Sequence, residues 1–285
     1  MRKYAVYRIL YGECFIQESI KSIEPHMDKI FIFWTDKVLG NTTQCEYKGD
    51  VIKFPRKFDN VLQKILDIRS KKIVLINDYV ENNDNQFTHL VNDLILPRYQ
   101  KPDRILFIEP DHVFHEEQII RAFNEFEKLI KDSDGDKVHA STSYVELWKT
   151  PYYQTVPHSN RFRLGSMLWT MDNLVKIPRT YKHAQIPKPS NKPPFINAHV
   201  HDFGFCVSEE SMFWKHMTAI GFSQKIEDTP PKEDWYEDVW LNWKFEDDKK
   251  NLHMSVGHEH LIPNIVPYDV SQLPKLIKDR YGITK

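Results

Sequence analysis

Glu109 and Asp111 flank Pro110 directly after the apolar run Ile105–Ile108. Such a run, ending in polar residues, predicts a buried strand that reaches the edge of its sheet. Pro110 has no N–H to give to a ladder, so the strand stops there. In extended backbone the two carboxylates point the same way, roughly 6–7 Å apart. Acids projecting from the carboxyl end of a buried strand can hold a divalent cation against phosphate oxygens. A second acidic group, Glu233-Asp234 and Glu237-Asp238, surrounds Trp235 and Tyr236. A carboxylate there can take a proton from a hydroxyl; alternatively the acids are the wet face of a helix whose Trp240, Leu241 and Trp243 pack inward. His199-Val-His201-Asp202 has the ligand spacing that zinc hydrolases place on a strand, and could equally line a sugar or acceptor pocket. His258-Glu259-His260 sets two imidazoles on one side of an extended segment. Arg161, Arg163, Trp169, Lys182 and His183 lie in a proline-broken stretch, where Arg suits phosphate and aromatic faces suit sugar rings.

The elements that must position these residues are legible from periodicity. Tyr4–Leu10, Lys29–Trp34, Ile73–Ile76 and Ile105–Ile108 read as strands. Between them, Glu13–Ile23, Asp59–Ile68 and the segment from Phe87 to Pro97 carry apolar residues at helical spacing. This βαβα rhythm argues for a mostly parallel sheet with helices on both faces, and ligands bind at the carboxyl ends of such strands. Glu116–Lys131 is the strongest helix, acidic in its first turn, striped with Ile119, Ile120, Phe123, Phe126 and Ile130, and closed by Asp134-Gly135. From Thr150 to Pro194 prolines predict an irregular excursion, with a short strand within Leu164–Thr170. Ser208–Gly221 reads as a helix with Ser208 as N-cap and Gly221 just past its end.

Composition narrows the classes of function. The chain has 285 residues, enough for a large core, and a net charge of -1, so the whole molecule offers no field for nucleic acid or membrane. Only nine glycines are present, which weighs against a glycine-rich nucleotide loop, and 13% aromatics weigh against disorder. Cys14, Cys45 and Cys206 form neither a metal pattern nor a disulfide framework and favour a reducing, cytoplasmic compartment. No apolar h-region follows Met1, so no signal peptide is expected, and no apolar run is long enough to span a membrane.

Three segments, in order, resemble the GT-A glycosyltransferases, particularly the family-2-like enzymes. Tyr7–Ile23 followed by Met27–Asp36 looks like their opening strand, helix and second strand. Phe107–Phe114 looks like their metal-binding acid pair, with Glu-Pro-Asp where Asp-x-Asp is usual. Tyr236-Glu-Asp-Val-Trp-Leu241 looks like their Glu-Asp-x-x-Leu motif. The resemblance implies an α/β GT-A fold, Rossmann-like and mostly parallel with flanking helices, as a single domain over residues 1–285. Residues 1–115 would bind the nucleotide sugar and residues 116–285 the acceptor. It further implies nucleotide contacts from Arg8, Tyr11, Glu13 and Asp36, with Glu109 at ribose or a metal-bound water. Asp111 would ligate Mn²⁺ or Mg²⁺, and His258 or His260 would complete the ligand set, a His favouring manganese. Asp238, with Glu237 as neighbour or substitute, would be the base.

The activity expected is therefore metal-assisted transfer of a sugar from a nucleotide-sugar donor to a glycan or other hydroxyl acceptor, with inversion. A zinc-dependent hydrolase built on His199 and His201, and a non-catalytic GT-A-like sugar-binding protein, are the alternatives.

Overall fold

The computed structural model describes residues 1–9, 14–35, 42–55, 61–77, 90–133, 139–156, 167–170, 195–226, 231–247, 250–256, 262 and 264–284. Strands β1 (Lys3–Ile9), β2 (Lys29–Trp34), β5 (Ile73–Asn77) and β6 (Arg104–Phe107) pair in parallel in the order β5-β2-β1-β6. Beyond β6 the same sheet continues through β10 (Met167–Thr170), β8 (His139–Trp148), β9 (Thr150–Thr155) and β12 (Ile265–Pro267), all joined antiparallel. On the other edge of β8 runs β11 (Phe195–Phe205), parallel to it, and β11 also pairs antiparallel with the two-residue β7 (His112–Val113). The molecule is thus α/β, with a Rossmann-like parallel half and an antiparallel extension in one sheet.

The middle residues of β1 and β2, Tyr4–Tyr7 and Ile30–Phe33, are all buried, as expected of parallel strands covered on both faces. Successive side chains alternate between two cores. Ala5, Tyr7, Ile9, Ile30, Ile32 and Leu106 meet Ile16, Ile20 and Ile23 of helix α1 (Ile16–Ile23) and Ile119, Phe123 and Phe126 of a longer helix that follows β7. Tyr4, Val6, Phe31, Phe33 and Ile105 meet Leu90, Val91 and Ile95 on the opposite face. Leu90–Ile95 is a π-helical turn instead of the regular helix the spacing predicts. The short α2 (Val61–Leu66) buries Val61 and Ile65 but leaves Leu62 and Leu66 exposed, so half of its expected apolar face is wet.

The longer helix, α3 (Glu116–Asp132), matches its expected span to within a residue. Ile120, however, is exposed. A step of about 100° per residue takes it off the stripe that Ile119, Phe123 and Phe126 share. Of the residues from Thr150 to Pro194, the described ones form β9, not expected from the sequence, and β10, the short strand expected within Leu164–Thr170. Helix α4 (Glu209–Ile226) runs through Gly221 instead of ending there. A Cβ at Gly221 would lie 2.8 Å from Phe54 Cζ and 3.2 Å from Cys45 Cβ. The glycine therefore serves close packing against a hairpin, β3 (Gln44–Tyr47) and β4 (Asp50–Lys53), and not a helix cap. Lys48 and Gly49 make the hairpin turn, both at positive φ, as two-residue hairpin connections require.

A third core gathers Trp148, Trp235, Trp240 and Trp243 with Leu252 and Ile265. A fourth joins Phe15, Val113 and Phe203 to Leu273 and Ile277, the latter on helix α5 (Lys275–Tyr281). Arg280 ties α5 to α1 through an ion pair with Glu18 at 3.1 Å. Among the described residues no helix is long and apolar enough to cross a membrane.

Candidate metal and nucleotide site

The chain lays down β1, β2 and β5 in one direction across the sheet and then returns to place β6 on the other side of β1. Strand order reverses between β1 and β6, and in open α/β sheets the crevice at the carboxyl ends of such strands takes the ligand. Arg8, near the end of β1, sits there with Glu109, their charged groups 3.8 Å apart.

After β6 the backbone does not stay extended. The Glu109 carbonyl accepts the His112 N–H at 3.1 Å, closing a turn with Pro110 in its second position, where the fixed φ of proline is favoured. The turn separates the two carboxylates that extended geometry would have aligned. Glu109 goes to Arg8, and Asp111 goes to a different set of partners. The Asp111 carbonyl accepts the Phe203 N–H at 3.0 Å, so backbone bonds on both sides hold it in place.

Pairing of β7 with β11 puts His112 opposite Asp202. One ligand atom each from Asp111, His112 and Asp202 lie within 4.8 Å of one another. His112 Nε2 is 3.7 Å from Asp202 Oδ2, and the Gly204 N–H donates to Asp202 Oδ1 at 2.7 Å. Gly204 is indispensable to this approach: a Cβ there would stand 2.9 Å from Asp111 Oδ2 and 3.0 Å from Asp202 Oδ1. Lys215 of α4 reaches in from the side, its Nζ 3.7 Å from Asp111 Oδ2 and donating to the Gly204 carbonyl at 3.1 Å.

The electrostatics follow from two acids sharing a sheltered corner. Burial, then the charge of Asp202, push the Asp111 carboxyl above its ordinary value. For Asp202 burial is also the largest influence and acts upward, but the His112 interaction and the Gly204 N–H outweigh it and hold it low. Burial alone would favour neutral His112; the bond and charge of Asp202, helped by Asp111, raise it to about 8 instead. Two carboxylates and an imidazole converging around a glycine make a donor set that fits a divalent cation. The oxygens suit Mg²⁺ or Mn²⁺, and the nitrogen tilts the choice to Mn²⁺.

Glu237 and Asp238 lie on a π-helical turn, Trp235–Leu241, that buries Trp235, Tyr236 and Trp240. Glu237 accepts from Lys48 Nζ at 2.6 Å and Tyr47 Oη at 3.4 Å, both on the hairpin, while Asp238 is exposed. His199 and His201 project from the face of β11 opposite Asp202. His201 is buried against the Tyr268 hydroxyl, 2.7 Å from Nε2, and its ring lies 5.4 Å from His115 and 5.6 Å from His199. Burial pulls its pKa well down. Among the described residues, Asp111-His112-Asp202 is the one His/Cys/Asp/Glu group compact enough for a metal, and neither His199 nor His201 belongs to it. Trp169 is a core residue stacked on His139, not a pocket wall. Tyr11, Glu13, Asp36, His258, His260, Arg161, Arg163, Lys182 and His183 lie outside the described residues.

His112, Asp202, Gly204 and Lys215 were not marked as a group by the sequence. Asp202 follows a conspicuous His-x-His pattern, but only the register of β11 against β7 reveals its partner.

The strand order is that of an open α/β sheet whose order reverses between β1 and β6, with an acidic turn directly after β6. No family's sequence profile matches the chain, and no curated sequence does. Among solved structures it is similar to S. aureus TarS residues 1–349, at 12% identity and a TM-score of 0.38, over 85% of this chain and 71% of that one. It is also similar to 4-diphosphocytidyl-2C-methyl-D-erythritol synthase from Anaerococcus prevotii, at 9% identity and a TM-score of 0.37, over 74% of this chain and 96% of that one. For the inositol-1-phosphate CTP transferase from T. maritima the values are 8% identity and a TM-score of 0.36, over 76% of this chain and 96% of that one.

Proposed function

We propose that this chain is a metal-assisted glycosyltransferase that moves a sugar from a nucleoside-diphosphate sugar to a hydroxyl acceptor, with inversion. The observation that carries the reading is the convergence of Asp111 and Asp202, with His112, beside the point where strand order reverses. Asp111, Asp202 and His112 would hold Mn²⁺ or Mg²⁺. A divalent ion there supplies neutralisation of the charge that develops on a departing diphosphate.

The chain's own groups do the rest. Arg8 and Glu109 orient the nucleotide at the mouth of the β1–β6 crevice, with Glu109 accepting from a ribose hydroxyl. Asp238 accepts the proton of the acceptor hydroxyl. Its neighbour Glu237 is engaged by Lys48 and Tyr47. Residues 1–115 serve the donor, joined there by Asp202 of β11, and the remainder of residues 116–285 serves the acceptor.

Calorimetry with UDP and GDP, with and without Mn²⁺, tests this reading. The wild-type protein is expected to bind one of them more tightly with the metal. Asp111→Asn and Asp202→Asn should remove that dependence and lower turnover by about 10²-fold or more. Asp238→Asn should bind the donor normally and fail to transfer. Nucleotide affinity that ignores Mn²⁺ equally in all four proteins would refute the proposal.

A further inference from the structure

Lys215 has no part in the reading above, yet its ammonium stands at the carboxylate that reading assigns to the cation. Nζ lies 3.7 Å from Asp111 Oδ2 and bonds the Gly204 carbonyl at 3.1 Å. The same Nζ is 3.2 Å from where a Gly204 Cβ would be, the position that also crowds Asp111 and Asp202. One small space is therefore bounded by both carboxylates and the ammonium. The lysine is rooted on α4, its Nζ 5.9 Å from the ring centre of Phe205, and its side chain is 46% exposed. That exposure gives the charged head room to swing outward on its four-carbon stem.

A divalent ion and an ammonium cannot share Asp111 without strong like-charge repulsion. An ion seated by Asp111 and Asp202 must therefore displace Lys215, and the displaced charge seeks the nearest anion. A diphosphate held by that ion presents such an anion within the same few ångströms, and lysine binds phosphate well as a point charge. The geometry points to Lys215 as a donor-site residue with two successive partners: it competes with the divalent cation for Asp111, and then it binds the diphosphate. It follows that metal and nucleotide bind cooperatively. This inference rests on the metal site proposed above.

The test is calorimetric titration of the full-length wild type, Lys215→Met and Lys215→Arg. Each is titrated first with Mn²⁺ alone and then with UDP or GDP at saturating Mn²⁺. Lys215→Met keeps the stem and removes the charge, so it should bind Mn²⁺ about three- to tenfold more tightly than wild type. It should also bind the nucleotide several-fold more weakly once the metal is present. Lys215→Arg, which keeps the charge, should stay near wild type for the metal. Thermal melts of the variants confirm that they fold. Mn²⁺ affinity that is unchanged or weaker in Lys215→Met overturns the inference, as does unchanged nucleotide affinity. If neither wild type nor Lys215→Met takes up Mn²⁺, the metal site itself is wrong and the inference falls with it.

Discussion

The whole acidic corner turns on a missing side chain. Replacing Gly204 by alanine would drive a methyl between Asp111 Oδ2 and Asp202 Oδ1, at 2.9 Å and 3.0 Å. Separations that short are well inside van der Waals contact, so a carboxylate must turn away. We therefore expect Gly204→Ala to fold yet to lose about tenfold or more in Mn²⁺ affinity; equal affinities by calorimetry would show that the two acids do not act together. The sequence exposes one partner of this pair and hides the other. Asp111 is conspicuous because Pro110 and a buried apolar run announce a strand end. Asp202 is one polar residue in an alternating strand, and what it faces depends on a register that spacing within one segment does not encode. Glu109 illustrates the opposite error: period-two geometry aligned it with Asp111, but the proline turn sent it to Arg8.

At the scale of elements, β1, β2 and β6 are readable because burial leaves unbroken apolar runs in them. β8 is not. Pairing on both of its edges buries Ser141 and Thr142 completely, so polar residues interrupt the pattern that would have marked it. The β3–β4 hairpin was missed for a related reason, since a four-residue strand offers too few alternations to stand out. Its packing against α4 carries a prediction. Gly→Ala within a helix ordinarily gains up to about 1 kcal/mol. At Gly221 the new methyl meets Phe54 Cζ at 2.8 Å, and overpacking of this kind costs about 1–3 kcal/mol. Gly221→Ala should accordingly lower the midpoint of urea unfolding, and adding Phe54→Leu should restore part of the loss through non-additive coupling. A stabilised Gly221→Ala protein would mean the hairpin yields freely.

Across the whole molecule, histidines held neutral in the interior set the response to acid. His216 is fully buried beneath the tryptophan core; its Nε2 donates to the Lys232 carbonyl at 3.0 Å, and burial lowers its pKa to about 4. The unfolded chain takes up this proton near 6.5, whereas the folded protein resists until about 4. Between those values the unfolded state binds more protons, so stability falls as pH falls, by at most about 1.4 kcal/mol per pH unit from this residue. His216→Gln should flatten that part of the stability profile measured by urea melts from pH 7 to pH 4.5, and an unaltered slope would assign the effect elsewhere. His201, also buried and shifted down, adds in the same direction. A single sheet carries the molecule from β5 to β12, and β11 enters it late, bringing Asp202 to a turn about ninety residues earlier in the chain. During synthesis, then, β1, β2, β5 and β6 leave the ribosome well before Asp202 does. Whatever depends on the two carboxylates together is out of reach of an unfinished polypeptide.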